Sequence, residues 1–203
     1  MTAVRGRRQE QKSRTRLQIQ TAAIELYELH GYDDTNIEDI VARAGVAQRT
    51  FFRYFPSKEL TLFSDDGAQQ LIDLILGAPS HLSDLEALRW TMHRILEVEA
   101  TPLDRRRQAI RQELKDRPAV QRQMSHLEEA MRAQLHSALA RRLRDHAGGT
   151  ERSENEIELS AEILASLYVG LGRAMRTREG PRAKVVDQWF ALLGELSLPP
   201  GDD

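Results

Sequence analysis

The 203-residue chain has no cysteine, which excludes disulfides, thiolate metal sites and cysteine nucleophiles. Aromatic residues make up only 5% of it, and there is no strand-rich segment, glycine-rich phosphate loop or nucleophile elbow. The usual nucleotide-binding and hydrolase scaffolds therefore lack their signatures. No apolar run is long enough to cross a bilayer, and the N-terminus lacks a charged–apolar–cleavage pattern. A cytoplasmic protein with no membrane partner is expected. His30, His81, His93, His126, His136 and His146 are scattered, with no His-x-x-x-His pair of the kind that builds a helical metal site. His126 and Glu129 share a helix face, where a surface hydrogen bond is the ordinary reading. No catalytic residue, metal or cofactor is expected, and a helical enzyme is the weaker alternative.

What remains is helix-forming material: 40% hydrophobic and 30% charged residues, enough for one large domain or two small ones. The net charge of −2 gives no hint of nucleic acid, but its distribution does. Residues 1–16 carry Arg5, Arg7, Arg8, Lys12, Arg14 and Arg16 against Glu10 alone, a local balance of +5, so basic charge gathers at one end. With no apolar period, residues 1–13 are expected to form a disordered basic arm able to neutralise phosphates or enter a minor groove.

Thr35 to Lys58 organises the rest. Thr35, with Glu38 three residues on, fits a helix cap. Ile37, Ile40 and Val41 give that helix a buried side, Gly45 stops it, and Pro56 ends a second helix begun near Gln48. Helix, glycine turn and second helix make a helix-turn-helix, whose second member enters the DNA major groove. An earlier helix, about Arg14–His30, turns Ile19, Ala22, Ala23, Leu26 and Tyr27 inward and completes a three-helix core.

Gly31-Tyr32, Thr35-Asn36-Ile37, Ala44-Gly45-Val46, Thr50-Phe51-Phe52-Arg53-Tyr54-Phe55 and Ser57-Lys58-Glu59 resemble the DNA-binding domain of TetR-family transcriptional regulators, densely from Arg14 to Phe63. The resemblance implies an all-α protein. Residues 14–62 would form the DNA-binding domain, and 63–203 a helical bundle for effector binding and dimerisation. It implies base or backbone contacts from Gln48, Arg49, Thr50, Phe52 and Arg53, and phosphate contacts from Thr35, Asn36, Tyr54 and Lys58, the last at the start of helix 4. Five positions depart from the family pattern. Gln20 replaces an apolar residue, Ala47 a capping serine, Phe52 a tyrosine, and Leu60-Thr61 an acid and a leucine.

Helix follows helix from residue 80 onward: one with a stripe of Leu85, Leu88, Met92 and Ile95, then others from near Pro102, after Pro118, over 154–178 and over 181–196, with Asp65-Asp66-Gly67 bending or dividing helix 4 and a loop at 148–153. The last two helices carry more apolar residues than one inward stripe requires. In the family such a surplus builds a four-helix dimer interface, here Leu167, Gly170, Leu171 and Ala174 with Val186, Trp189, Phe190 and Leu193. Candidate effector-pocket residues are Trp90, Met92, His93 and Met124, with Leu127, Met131, Tyr168 and Met175. Arg105–Arg107 and Arg111 could meet an anionic headgroup. The motif version is similar to an actinobacterial branch that includes mycofactocin-type, acyl-CoA-responsive regulators, so an acyl-CoA or other lipophilic effector is expected. A DNA-binding regulator without an effector is the other alternative.

Overall fold

The computed structural model describes residues 2–64, 66–145, 152–177 and 181–196. Among the described residues the chain forms only helices: α1 (Thr2–His30), α2 (Ile37–Ala44), α3 (Gln48–Tyr54), a 3₁₀ turn (Lys58–Leu62), α4 (Asp66–Gly77), α5 (Asp84–Glu97), α6 (Pro102–Glu113), α7 (Pro118–Asp145), α8 (Glu154–Thr177) and α9 (Arg182–Leu196). The loop expected at 148–153 lies mostly outside the described residues.

The punctuation is chemical. Gly31 and Gly45 take the left-handed conformation, at φ 86° and 64°, that ends α1 and α2. Ser83 and Thr101 form capping boxes with Glu86 and Asp104, and Pro102 occupies the first turn of α6. Helix α1 runs through the stretch expected to be a disordered arm. That stretch has no proline and is rich in Arg, Gln and Lys, good helix formers that need no apolar period to continue a helix already anchored downstream. Helix 4 begins at Asp66 rather than at Lys58, which sits instead in the separate 3₁₀ turn.

The chain divides into two compact units, Met1–Ser64 with Ala100–Ser125, and Asp65–Glu99 with His126–Asp203. The return of 100–125 to the first unit was not anticipated by a single boundary near residue 62. Its cause lies in the arginines of this segment. Arg106 makes a two-point contact with Glu28, one bond at 2.8 Å. Arg117 grips Asp33 through two bonds of 3.0 and 2.6 Å. Arg111 donates to the Leu62 carbonyl at 3.2 Å and lies over the Phe63 ring. Arg107 is buried against Asp104. Arg106 and Arg111, two of the arginines expected to meet an anionic headgroup, thus dock α6 on α1 and the 3₁₀ turn.

In the second unit Leu71, Ile75, Leu88, Met92, Leu135, Leu139, Leu164, Leu171 and Val186 share one core. Arg142, buried on α7, donates to the Ala78 and Pro79 carbonyls at 2.6 and 2.9 Å, satisfying groups just past the end of α4. Ion pairs line the α7–α8 seam, Glu128 with Arg173 and Arg176, and Arg132 with Glu162. Most of these side chains are exposed, so they contribute little stability.

Candidate nucleic-acid interface

The geometry of the first unit starts with the turn between α2 and α3. Gly45 and Val46 donate back to the Ala42 and Val41 carbonyls at 3.3 and 3.1 Å, closing α2 and aiming the chain into α3. Helix α3 is held from behind. Phe51 and Phe55 are wholly buried with ring centroids 5.8 Å apart, and Phe52 meets Phe51 edge-on at 5.6 Å from the outer side. Arg16 of α1 donates to the Tyr54 carbonyl at 3.1 Å and lies 4.4 Å over the Phe55 ring, securing the far end of α3.

With that face locked, the remaining residues of α3 turn outward. Gln48, Arg49, Phe52 and Arg53 are exposed, and Thr50 and Tyr54 are half-buried. Arg49 makes no hydrogen bond or ion pair among the described residues. Gln48 donates to Glu38 at 2.9 Å, and Arg53 stacks on Tyr54. Ala47 supplies no side-chain cap, as its side chain requires.

The start of α2 corrects one expectation. Asn36, not Thr35, caps this helix, accepting from the Asp39 amide at 2.8 Å while Asp39 accepts from the Asn36 amide. Thr35 is buried, its hydroxyl donating to the Gly31 carbonyl at 2.7 Å, so its side chain has no surface for DNA. Asn36, one residue on, is exposed.

Lys58 is more deeply committed than its sequence position implies. Its ammonium donates to the Tyr32 and Thr35 carbonyls at 2.7 and 2.9 Å and sits 4.1 Å over the Tyr32 ring. The Tyr32 hydroxyl in turn donates to Glu59 at 2.6 Å. Burial, then this bond to a carboxylate, pushes the Tyr32 hydroxyl above its usual range. Burial alone would raise the Glu59 carboxyl, but hydrogen bonds from Tyr32 and Ser57 outweigh it and hold the group below the usual carboxylate range.

Gln20, standing where the family pattern has an apolar residue, is itself buried, its amide donating to the Phe63 and Thr61 carbonyls at 2.7 and 3.3 Å. The buried Thr61 bonds the Tyr27 hydroxyl at 3.1 Å. Two departures from the family pattern, Gln20 and Thr61, are therefore neighbours in one polar knot.

Residues 19–64 match the family model described as bacterial regulatory proteins, tetR family. These residues form a TetR-family DNA-binding domain. The chain is 38% identical over 86 residues to the Mycobacterium tuberculosis protein named as a putative mycofactocin biosynthesis transcriptional regulator, MftR, a match covering 41% of the chain and 42% of MftR. It is 46% identical over 54 residues to the HTH-type transcriptional regulator TcmR of Streptomyces glaucescens, covering 27% of the chain and 24% of TcmR. The matched stretches thus span less than half of either curated relative. Among solved structures it is similar to Thermus thermophilus FadR, a TetR-family transcriptional repressor in complex with lauroyl-CoA. The identity is 26% and the TM-score 0.56, with 92% of this chain and 96% of FadR covered.

The second unit redistributes the other candidates. Met124 falls in the first unit, whereas Trp90, Met92, His93, Leu127, Met131, Tyr168 and Met175 belong to the second. Met92 is wholly buried, and Met131, Tyr168 and Met175 pack against the same core. His93 pairs with Asp187 at 3.1 Å. Among the predicted dimer residues Leu171 and Val186 are fully buried within their own chain and Phe190 nearly so, so they have no outward face to give a partner. Gly170 faces its own chain's Trp189, where an added Cβ would lie 3.7 Å from Cζ2. Three exposed apolar residues stand outside the predicted dimer set, Leu159 and Ile163 on α8 and Leu192 on α9, at 58%, 51% and 52% exposure. The four-residue spacing of Leu159 and Ile163 was the available signal.

Among the described residues no group of three or more His, Asp or Glu is placed to hold a metal ion, and no helix is long and apolar enough to cross a membrane.

Proposed function

We propose that this protein is a transcriptional repressor that binds a near-palindromic operator as a homodimer and leaves it when a lipophilic or acyl-CoA-like effector binds. Arg49 carries the DNA reading. It stands exposed, with no partner among the described residues, on the first turn of a helix whose opposite face is fixed by Phe51 and Phe55, and a guanidinium there can bond guanine O6 and N7 together. Gln48, Thr50, Phe52 and Arg53 supply the neighbouring contacts, Phe52 through a thymine methyl. Asn36, Tyr54 and Lys58 position the phosphates.

One seven-residue helix reads few base pairs, so selection of a site requires two, spaced about 34–36 Å apart on the duplex. Leu159, Ile163 and Leu192, flanked by the half-buried Leu167, Ala174, Trp189 and Leu193, give the dimer its apolar surface, with Leu171, Val186 and Phe190 supporting it from beneath. The lauroyl-CoA held by FadR supports an acyl effector for this chain. The methionine-rich interior around Met92, Met131 and Met175, together with Tyr168, suits an apolar tail because methionine side chains repack readily.

Selection from randomised duplexes, followed by gel shifts of the selected site with added lauroyl-CoA, tests this reading. A near-palindrome should emerge, and lauroyl-CoA should release it. Arg49→Ala should lose about 1–3 kcal/mol and relax preference at one position of each half-site. An unsymmetrical site would remove the dimer reading, and binding indifferent to acyl-CoAs would remove the effector class. Wild-type selectivity in Arg49→Ala would remove the base-contact assignment.

A further inference from the structure

Helix α1 starts at Thr2, yet from Glu10 onward, where its side chains are described, the first buried residue is Ile19. At about 1.5 Å per residue, roughly 25 Å of helix precede that residue. No apolar face accounts for that length, and a helix that is polar all round needs another partner to make use of it. Positions 5, 8, 12 and 16 recur at intervals of three and four, so they share one helical face, and all four are basic: Arg5, Arg8, Lys12 and Arg16. Glu10 lies off that face, as do Arg7 and Arg14 on the opposite side.

Arg16 fixes the direction of the stripe. Its guanidinium reaches the last residue of α3 at the Tyr54 carbonyl, 3.1 Å away, and covers Phe55. Helical register places positions 5, 8 and 12 on the same face of α1 as Arg16, and Lys12, one turn before it, is exposed.

We infer that the N-terminal extension of α1 is a second DNA-contacting element, whose Arg5, Arg8 and Lys12 follow the phosphate backbone beside the recognition helix. This rests on the DNA-binding reading above. A flexible arm would use its six basic residues without regard to face, whereas a helix presents one stripe to the duplex and turns the other away.

The test compares two variants of the full chain that remove equal charge: Arg8→Gln with Lys12→Gln on the stripe, and Arg7→Gln with Arg14→Gln opposite it. Affinity for the selected operator duplex is measured from 50 to 200 mM salt. The stripe variant should lower the slope of log affinity against log salt by about 1.8, two phosphates at about 0.9 each. Across that salt range the wild type should then lose about tenfold more affinity than the stripe variant. The opposite-face variant should keep a slope close to wild type. Equal flattening by both variants, or flattening by neither, overturns the proposal. Absence of salt-dependent duplex binding in the wild type would instead strike the DNA-binding reading itself.

Discussion

Phe51→Ala is expected to destabilise the first unit by about 3–5 kcal/mol, the range for deleting a buried phenylalanine, and to abolish operator binding. Phe51 is wholly buried and joins Phe52 and Phe55 in one aromatic contact chain. It is also the side chain that determines which residues of α3 face outward, so its loss removes both packing enthalpy and the orientation of Arg49. A domain rarely has more than about 5–15 kcal/mol in reserve, and this one would surrender a large share. Phe52→Ala is the control. Its ring is 46% exposed, and its removal should cost under about 1 kcal/mol while weakening DNA binding modestly. Urea unfolding followed by circular dichroism measures both. Similar losses in the two variants would mean that Phe51 does not hold α3 as described.

Sequence periodicity and punctuation were enough to place most helices. Pro102 and Pro118 start α6 and α7, and glycines at 31 and 45 stop α1 and α2, because these residues act on the local backbone wherever the chain later folds. Two neighbouring caps were harder to separate. Thr35 and Asn36 are both good N-cap residues, each with an acid three positions on, and only packing chooses Asn36 by burying Thr35. The helical arm went unseen because a polar helix leaves no apolar period. The joining of α6 to the first unit depends on pairs such as Arg106 with Glu28 and Arg117 with Asp33, and nothing local in a single sequence links such distant positions. On α8 and α9 an apolar residue reads alike whether it faces inward, as Leu171 does, or outward, as Ile163 does. That distinction needs the packed neighbours. On the recognition helix the outcome was nearer, because Phe51 and Phe55 are four apart and leave only one outward side.

Lys58→Met should show two losses at once, one in stability and one in DNA binding. The ammonium spends two of its three donors on the Tyr32 and Thr35 carbonyls, which pins the connection between α1 and α2 to the 3₁₀ turn. Methionine keeps most of the stem but leaves both carbonyls without their charged partner and removes the cation over the Tyr32 ring. The expected cost is about 2–3 kcal/mol, given about 1–3 for each polar group deprived of a partner and some recovery through water. The third donor remains available to a phosphate, so the salt slope of operator binding should also fall by about one. Lys58→Arg keeps the charge but presents a planar fork where a compact tetrahedral donor now bridges two carbonyls. It should retain most of the slope while losing part of the stability. A destabilised Lys58→Met with an unchanged salt slope would leave Lys58 as a structural tie alone. A lowered slope with unchanged stability would show that its two carbonyl bonds contribute little net energy. Both losses together are what one ammonium must produce if it ties the loop and grips the phosphate from the same position.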